Sequence, residues 1–553
     1  MNNTITLNIV NKGIRKEYPA GISIKEVMDD LYPVQELPFL AALVNNRNRS
    51  LSYPLYFSKR IEFLDASTST GHRTYRVSLA FVMYKAVKDL YPEAVLRIEH
   101  AISGGYYCYV KLKDHSNQEL AAPIKKRMQE IIDADIPFRY HSEDSNEVLE
   151  MFQKANLTDK VDLLKNKGDI YTTYYSLGDT IDTFYSSMVP STGYLKLFDL
   201  HVYNGGLLLT VPSRSNPKEL APVIEQPKLL DVFTEFAGWN RTLKVSNVAD
   251  INAKSKSDEV SNLIMLAEAL QEKKVIKITE MITEHKELKI ILISGPSSSG
   301  KTTFSKRLAL QLNLAGIKPV NISLDDYYVD REKSPRDENG EYDYEHIEAL
   351  DLPLLNEQLQ AMLDGKEVVL PKYSFTTGRS FNEGVPTKLH DNEVLVVEGI
   401  HALNPRLTKL IDDKVKFKVY VSALTTISLD NHNYIPTSDN RLIRRIVRDY
   451  NYRGTSAEES INRWESVRRG EDKWIYPFQE EADAMFNSSL LFELAVLKPF
   501  IERILKEVKH NCDAYVEARR LLKFLSYIKG INSRKIPPTS LLREFLGGSS
   551  FKY

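Results

Sequence analysis

The run Ile290-Ile291-Leu292-Ile293-Ser294-Gly295-Pro296-Ser297-Ser298-Ser299-Gly300-Lys301-Thr302-Thr303 constrains this 553-residue chain more than any other stretch. Four apolar, mostly β-branched residues read as a buried strand. Gly295 to Thr302 then fits G-x-x-x-x-G-K-[ST] without a mismatch. Phe304 to Leu312 continues with helical apolar spacing. Strand, glycine loop and helix are the context in which this pattern cradles phosphate. Glycines let backbone N–H groups converge on phosphate oxygens, and the helix N-terminus adds positive potential. Gly295, Ser297, Ser298, Ser299, Gly300, Lys301, Thr302 and Thr303 are therefore the expected phosphate-binding residues. Lys301 is placed to reach the β- and γ-phosphates of ATP, and the Thr302 hydroxyl to ligate Mg²⁺. A chance glycine turn is the competing explanation, and the strand and helix on either side argue against it.

The length suggests three or four domains. Hydrophobic residues at 42% and charged residues at 27% are ordinary for a water-exposed globular protein. The formal net charge of −1 supplies no global basic field for nucleic acid. The two cysteines, Cys108 and Cys512, cannot make a disulfide framework, which fits a reducing compartment. The N-terminus has no basic and apolar leader pattern, and no apolar run is long enough to span a membrane. A cytoplasmic protein with no membrane partner is expected.

In chain order, Ile5 to Val10 largely alternates apolar and polar, Lys12-Gly13 signals a turn, and Ile14 to Tyr18 reads as a second strand. Ser23 to Met28 has the form of a capped short helix. Leu40 to Val44 and Ile61 to Leu64 complete a small β-grasp pattern over residues 1–64. This pattern resembles the TGS domain at the front of threonyl-tRNA synthetases, although an unspecialised α+β module fits it as well. The next stretch, Asp65 to Arg76 with an amphipathic helix through Leu90, then Met188-Val189-Pro190-Ser191-Thr192-Gly193, resembles the editing domain of threonyl- and alanyl-tRNA synthetases. Residues 65–230 are assigned to it. That family holds zinc with two histidines four residues apart, then a cysteine and a histidine at the same spacing. Here His72 remains, while Arg76, Phe184 and Met188 stand at the other three positions. One ligand in four cannot hold zinc, so neither zinc nor editing hydrolysis is expected. Residues 231–284 read as a helical linker, with Asp250 to Asp258 as a polar loop and Glu259 to Glu284 as helix.

Beyond the phosphate loop, Lys318 to Leu324 reads as a strand ending at Asp325-Asp326-Tyr327-Tyr328. A carboxylate at the C-terminal end of a parallel strand lies in the ligand crevice, where it can take a proton from a substrate hydroxyl; a helix cap is the alternative. Glu393 to Val397 is a continuous apolar strand ending at Glu398, a position suited to Mg²⁺ or its water shell. Tyr373 and Phe375 are two apart and fall on one side of an extended chain, able to clasp a planar ring or to pack in the core. Arg441, Arg444, Arg445 and Arg448 share one broad helical face. Beside a phosphate loop, such a face is expected to form a lid over ATP.

Taken together, these motifs resemble the uridine/cytidine kinases of the phosphoribulokinase family over Leu288 to Leu490. The implied architecture is multidomain α+β and α/β. It has an N-terminal β-grasp, the synthetase-like module, a P-loop kinase at 285–490 with a parallel sheet flanked by helices, and C-terminal helices at 491–553 that carry no site. The resemblance implies ATP-dependent phosphorylation of a nucleoside 5′-hydroxyl, most simply that of uridine or cytidine. Asp325 matches the acid that activates the hydroxyl, beside Lys301. Glu345 stands at a ribose-binding position, Tyr373 and Phe375 clasp the base, Arg445 and Arg448 bind substrate and phosphate, and Arg453 is a lid arginine. Thr302 and Glu398 would hold Mg²⁺. Gly378 replaces a base-reading histidine, Thr455 a lid arginine and Arg463 a glutamine, so a sugar phosphate or other hydroxylated acceptor stays open. So does a non-catalytic nucleotide- or tRNA-responsive role, which the charge balance does not support, and so does a homo-oligomer.

Overall fold

A computed structural model describes residues 4–338, 340–381 and 383–552. The strand Thr4–Ile9 alternates exposed and buried residues, pairs antiparallel with Ile14–Pro19 and runs parallel to Lys59–Leu64. A five-stranded sheet results, completed by Ala41–Val44 and Asn48–Arg49. The helix Ile24–Leu31 packs on it and starts at a capping box between Ser23 and Glu26. This small module has a core of its own.

The second unit has a four-stranded sheet built from Val95–Ile102, Gly105–Lys111, Asp199–Tyr203 and Gly206–Thr210. A three-stranded sheet, Phe138–Asp144, Tyr171–Leu177 and Thr180–Asp182, stands beside it. The helix Ser69–Leu90 is buried on almost every side through its middle turns, so its periodicity is weaker in the structure than an amphipathic reading implies. Glu259–Thr283 is a helix where the pattern predicts one over Glu259 to Glu284, and Pro227–Thr242 forms another, with Leu229, Leu230, Val232, Phe233 and Phe236 buried. The polar stretch read as a loop is partly helical: Val248–Lys254 is a helix, fixed by a capping box between Asn247 and Asp250 and anchored by buried Val248 and Ile251. Three buried apolar residues, Val248, Ala249 and Ile251, over two turns are too weak a signal to find from periodicity.

The third unit carries a five-stranded sheet in which every pairing is parallel. Its order is Lys318–Ser323, Glu393–Glu398, Ile290–Ser294, Lys416–Ser422, Ala484–Asn487. Ile290 to Ile293 are buried on both faces, as a parallel strand covered by helices requires. The helix Lys301–Leu314 follows the central strand directly.

One apolar core runs from the synthetase-like unit into this sheet without a break. The segment Leu424–Pro436, between the strand Lys416–Ser422 and the helix Thr437–Tyr452, penetrates the front half. Asn431 accepts a backbone hydrogen bond from Ile98 (2.8 Å). Lys160, fully buried, lies 2.7 Å from Asp182 and 2.8 Å from Asp430, and His432 Nδ1 is 2.6 Å from Asp182. The positions at which the editing family holds metal are packed here. Arg76 stacks over the Tyr434 and Tyr106 rings, Phe184 packs on Phe81, Met188 Sδ accepts from Ser78, and His72 Nε2 lies 3.0 Å from the Pro212 carbonyl.

Two predictions follow from these buried groups. Replacing Lys160 with Met leaves Asp182 and Asp430 without their cation and is expected to cost about 3–5 kcal/mol in denaturant unfolding. His100 is buried in a stack on Phe233, and burial pushes its pKa down to about 3. A depressed histidine pKa means that the unfolded chain takes up the proton first. Stability is therefore lost as pH falls below about 6.5, by up to about 1.4 kcal/mol per unit. His100→Phe should flatten that slope in melts between pH 6.5 and 4.

Candidate active site

The site lies at the C-terminal ends of the parallel strands, where helix N-termini and loops converge. The phosphate loop is shaped by two residues in left-handed conformation, Ser298 (φ 59°) and Gly300 (φ 83°). Gly295 admits no side chain, since a Cβ there would lie 1.9 Å from the Val421 carbonyl oxygen. Ser298, Ser299 and Thr303 are buried. Lys301 Nζ reaches back to the Pro296 carbonyl at 3.3 Å, curled over the loop.

Thr302 Oγ1 donates to Glu398 Oε1 at 3.1 Å, joining the loop to the end of the neighbouring strand. Burial pushes the Glu398 carboxyl up to about 7; Lys301 pulls it down and Asp325 adds to the rise. A hydroxyl and a carboxylate in want of positive charge, side by side beneath a phosphate loop, fit a hydrated divalent cation. Asp325 sits in the one-turn helix Leu324–Tyr327 after its strand, and its N–H is bonded to Ser323 Oγ (3.3 Å). Its neighbour Asp326 is held by Lys372 at 2.7 Å, away from that role. Glu345 packs against Gly470, where a Cβ would come within 2.3 Å of its own. Its Oε2 is buried without a hydrogen bond, and burial together with the Glu471 charge pushes its carboxyl up to about 7.

The arginine face divides in two. Arg445 Nη1 donates to Ser297 Oγ at 3.0 Å, and Arg445, Arg448 and Arg453 all lie within 3.6 Å of the buried carboxylate of Asp449. Arg441 and Arg444 form no lid. Both are wholly buried, paired with Glu471 and Glu493. Arg441 Nε donates to the Ser297 carbonyl (2.9 Å), and Arg444 Nη1 reaches those of Ser298 and Ser299 (3.4 and 3.5 Å). They hold the back of the loop by its carbonyls. Their acidic partners lie 30 and 49 residues downstream, so spacing within the arginine helix could not reveal them.

Tyr373 and Phe375 come together edge to face, 5.1 Å apart. Tyr328 closes the group at 5.6 and 6.0 Å from them, and the Arg453 guanidinium lies 5.9 Å from the Phe375 ring. The C-terminal segment, expected to carry no site, reaches the loop. Glu544 accepts from the Thr303 hydroxyl, and a Cβ on Gly300 would lie 2.6 Å from Leu541.

A sharp prediction separates the two kinds of arginine. Arg444→Ala should cost about 3–5 kcal/mol of stability, because Glu493 is left buried and unpaired. Arg445→Ala should change the melting temperature little while weakening nucleotide binding, as titration with a fluorescent ATP analogue will show.

The profile of the phosphoribulokinase/uridine kinase family matches residues 290–491. Uridine kinase of Lactobacillus helveticus is 33% identical over 197 residues, covering 35% of this chain and 83% of that protein. Uridine kinase of Staphylococcus aureus is 34% identical over 195 residues, covering 35% and 84%. In the N-terminal region, threonine–tRNA ligase of Desulforamulus reducens is 33% identical over 189 residues, covering 34% of this chain. The chain spans only 30% of that ligase and 29% of the one from Syntrophomonas wolfei. A solved structure, that of a possible uridine kinase from Bacillus stearothermophilus, aligns with 39% of this chain and 98% of its own at 20% identity and a TM-score of 0.28. A uridine kinase relative covered over four-fifths of its length at one-third identity settles kinship: the chain belongs to the phosphoribulokinase/uridine kinase family.

Proposed function

We propose that the protein is an ATP-dependent kinase acting on the 5′-hydroxyl of a nucleoside, with uridine or cytidine as the acceptor. The observation that carries this is the Thr302–Glu398 contact at 3.1 Å beneath the phosphate loop, with Asp325 at the end of the adjacent strand. Mg-ATP, when bound there, would supply the phosphoryl group and the cation that neutralises it. Backbone N–H groups around Ser298 and Gly300 hold the phosphates, and the Lys301 ammonium leaves the Pro296 carbonyl to meet them. Thr302 and Glu398 are the oxygen-bearing residues that would hold such a cation.

Asp325 accepts the proton from the acceptor hydroxyl as the hydroxyl oxygen bonds to the terminal phosphorus and the bond from that phosphorus to the β,γ-bridging oxygen breaks, releasing ADP. Glu345 receives a ribose hydroxyl. The three aromatic rings take the planar base between apolar faces. Arg445, Arg448 and Arg453, gathered on Asp449, close over the phosphates and exclude water that would hydrolyse the nucleotide. The TGS-like and synthetase-like units serve as scaffold for the helix that carries these arginines. The packing of Arg76 over Tyr106 and Tyr434, which ties these units to the segment before that helix, supports the scaffold role.

Lys301→Ala and Asp325→Asn are the discriminating variants. Each should fold normally and lose at least about 100-fold in kcat for nucleoside phosphorylation, the usual contribution of a positioned base or a phosphate-clamping group. Asp325→Asn should still bind Mg-ATP. Full turnover in either variant would remove the assignment.

A further inference from the structure

The C-terminal segment meets the phosphate loop at three points. Leu541 fills the space beside Gly300, where a Cβ would lie 2.6 Å from its Cδ2. Phe545 is wholly buried, and its ring centroid lies 5.0 Å from the Arg444 guanidinium that reaches the Ser298 and Ser299 carbonyls. Glu544, between them in the chain, accepts from the Thr303 hydroxyl. Thr303 is the third residue of the helix Lys301–Leu314, within the turn whose free N–H groups face the phosphate site. The segment is no removable plug. Ile536, Leu541, Leu542 and Phe545 belong to the continuous apolar core, and lifting the segment away would return all of them to water. Glu544 is therefore a permanent carboxylate at a helix end that is suited to anions.

Among the described residues no lysine or arginine is paired with Glu544. Its charge is felt in the site: burial, then Asp325 and Glu544, raise the Glu398 carboxyl against the pull of Lys301 and Thr302. For the fold, a carboxylate at the start of a helix is favourable, because it offsets the partial positive charge there. For a bound phosphate chain the same carboxylate is unfavourable twice over. It repels the phosphates directly, and it cancels part of the positive potential that draws them in. From this geometry we propose that Glu544 sets the nucleotide affinity of the site: it weakens the hold on the phosphates of ATP and ADP and so speeds the departure of ADP. The inference rests on the ATP-binding part of the reading above and does not depend on the identity of the acceptor. Affinity changes of this kind are expressed mostly in the rate of dissociation.

The test measures Kd for Mg-ADP and Mg-ATP, the rate of ADP loss by stopped flow, and the melting temperature. It compares the full-length protein with its Glu544→Gln and Glu544→Asp variants. Glu544→Gln keeps an oxygen that accepts from Thr303 and removes the charge. It should bind ADP at least about threefold more tightly and release it correspondingly more slowly. It should also melt slightly lower than the wild type, since the helix end loses its counter-charge. Tighter binding together with lower stability is a combination that structural damage does not produce. Glu544→Asp keeps the charge and should stay within about twofold of the wild type in ADP affinity. The gain from Glu544→Gln should shrink as salt approaches about 1 M, where charges are screened over about 3 Å. A wild type that binds ADP while Glu544→Gln binds it equally or more weakly overturns this inference alone. A wild type that binds neither ATP nor ADP overturns the nucleotide reading and this inference with it.

Discussion

Two buried arginine–glutamate pairs hold the phosphate loop in its working shape. Arg441 with Glu471 and Arg444 with Glu493 are wholly or almost wholly removed from water, and they bind the loop through the carbonyls of Ser297, Ser298 and Ser299. A phosphate loop must turn its N–H groups inward, so its carbonyls face outward and need donors of their own. Guanidinium groups supply those donors as planar forks. Their charge is in turn balanced by carboxylates on helices that lie outside the arginine helix. The arrangement places four elements under one electrostatic constraint: the loop, the helix Thr437–Tyr452 and the helices beginning at Ala457 and Glu493.

The same helix links the phosphate loop to the front half. The segment just before it, Leu424–Pro436, is wrapped by the synthetase-like unit through the Lys160–Asp182–Asp430 network and the Arg76–Tyr434 stack. Arg76 of the front half fills the space between Tyr106 of its own sheet and Tyr434 of the Leu424–Pro436 segment, so one side chain ties the two together. Ser69 and Arg214 from the front half also bind Glu465, on the helix that carries Glu471. The front half is thereby joined to two of the three helices that position the loop.

Much of this was legible in the residues. The loop motif with its strand and helix, the two strand-end acids and the paired aromatics are local signals, and each lies where spacing placed it. What escaped was set by partners far away in the chain. Nothing within the arginine helix distinguishes Arg441 and Arg444 from Arg445 and Arg448; only Glu471 and Glu493 do. The helix Val248–Lys254 was hidden because its polar capping residues dominate its composition. A Cβ on Gly378 would lie 2.8 Å from Nε of Arg331, far away in the chain, and a glycine alone reads as a missing side chain rather than as room made for another. The reach of Glu544 to Thr303 likewise depends on a fold that brings the C-terminal segment back to the loop.

The central claim is phosphoryl transfer from ATP to a nucleoside 5′-oxygen in this site. Phosphorus NMR of the full-length protein with Mg-ATP and uridine follows it directly. The account predicts that the ATP signals give way to those of ADP and a 5′-monophosphate ester in equal amounts. ADP with inorganic phosphate and no ester, or an unchanged ATP spectrum in the presence of uridine and cytidine alike, would contradict it.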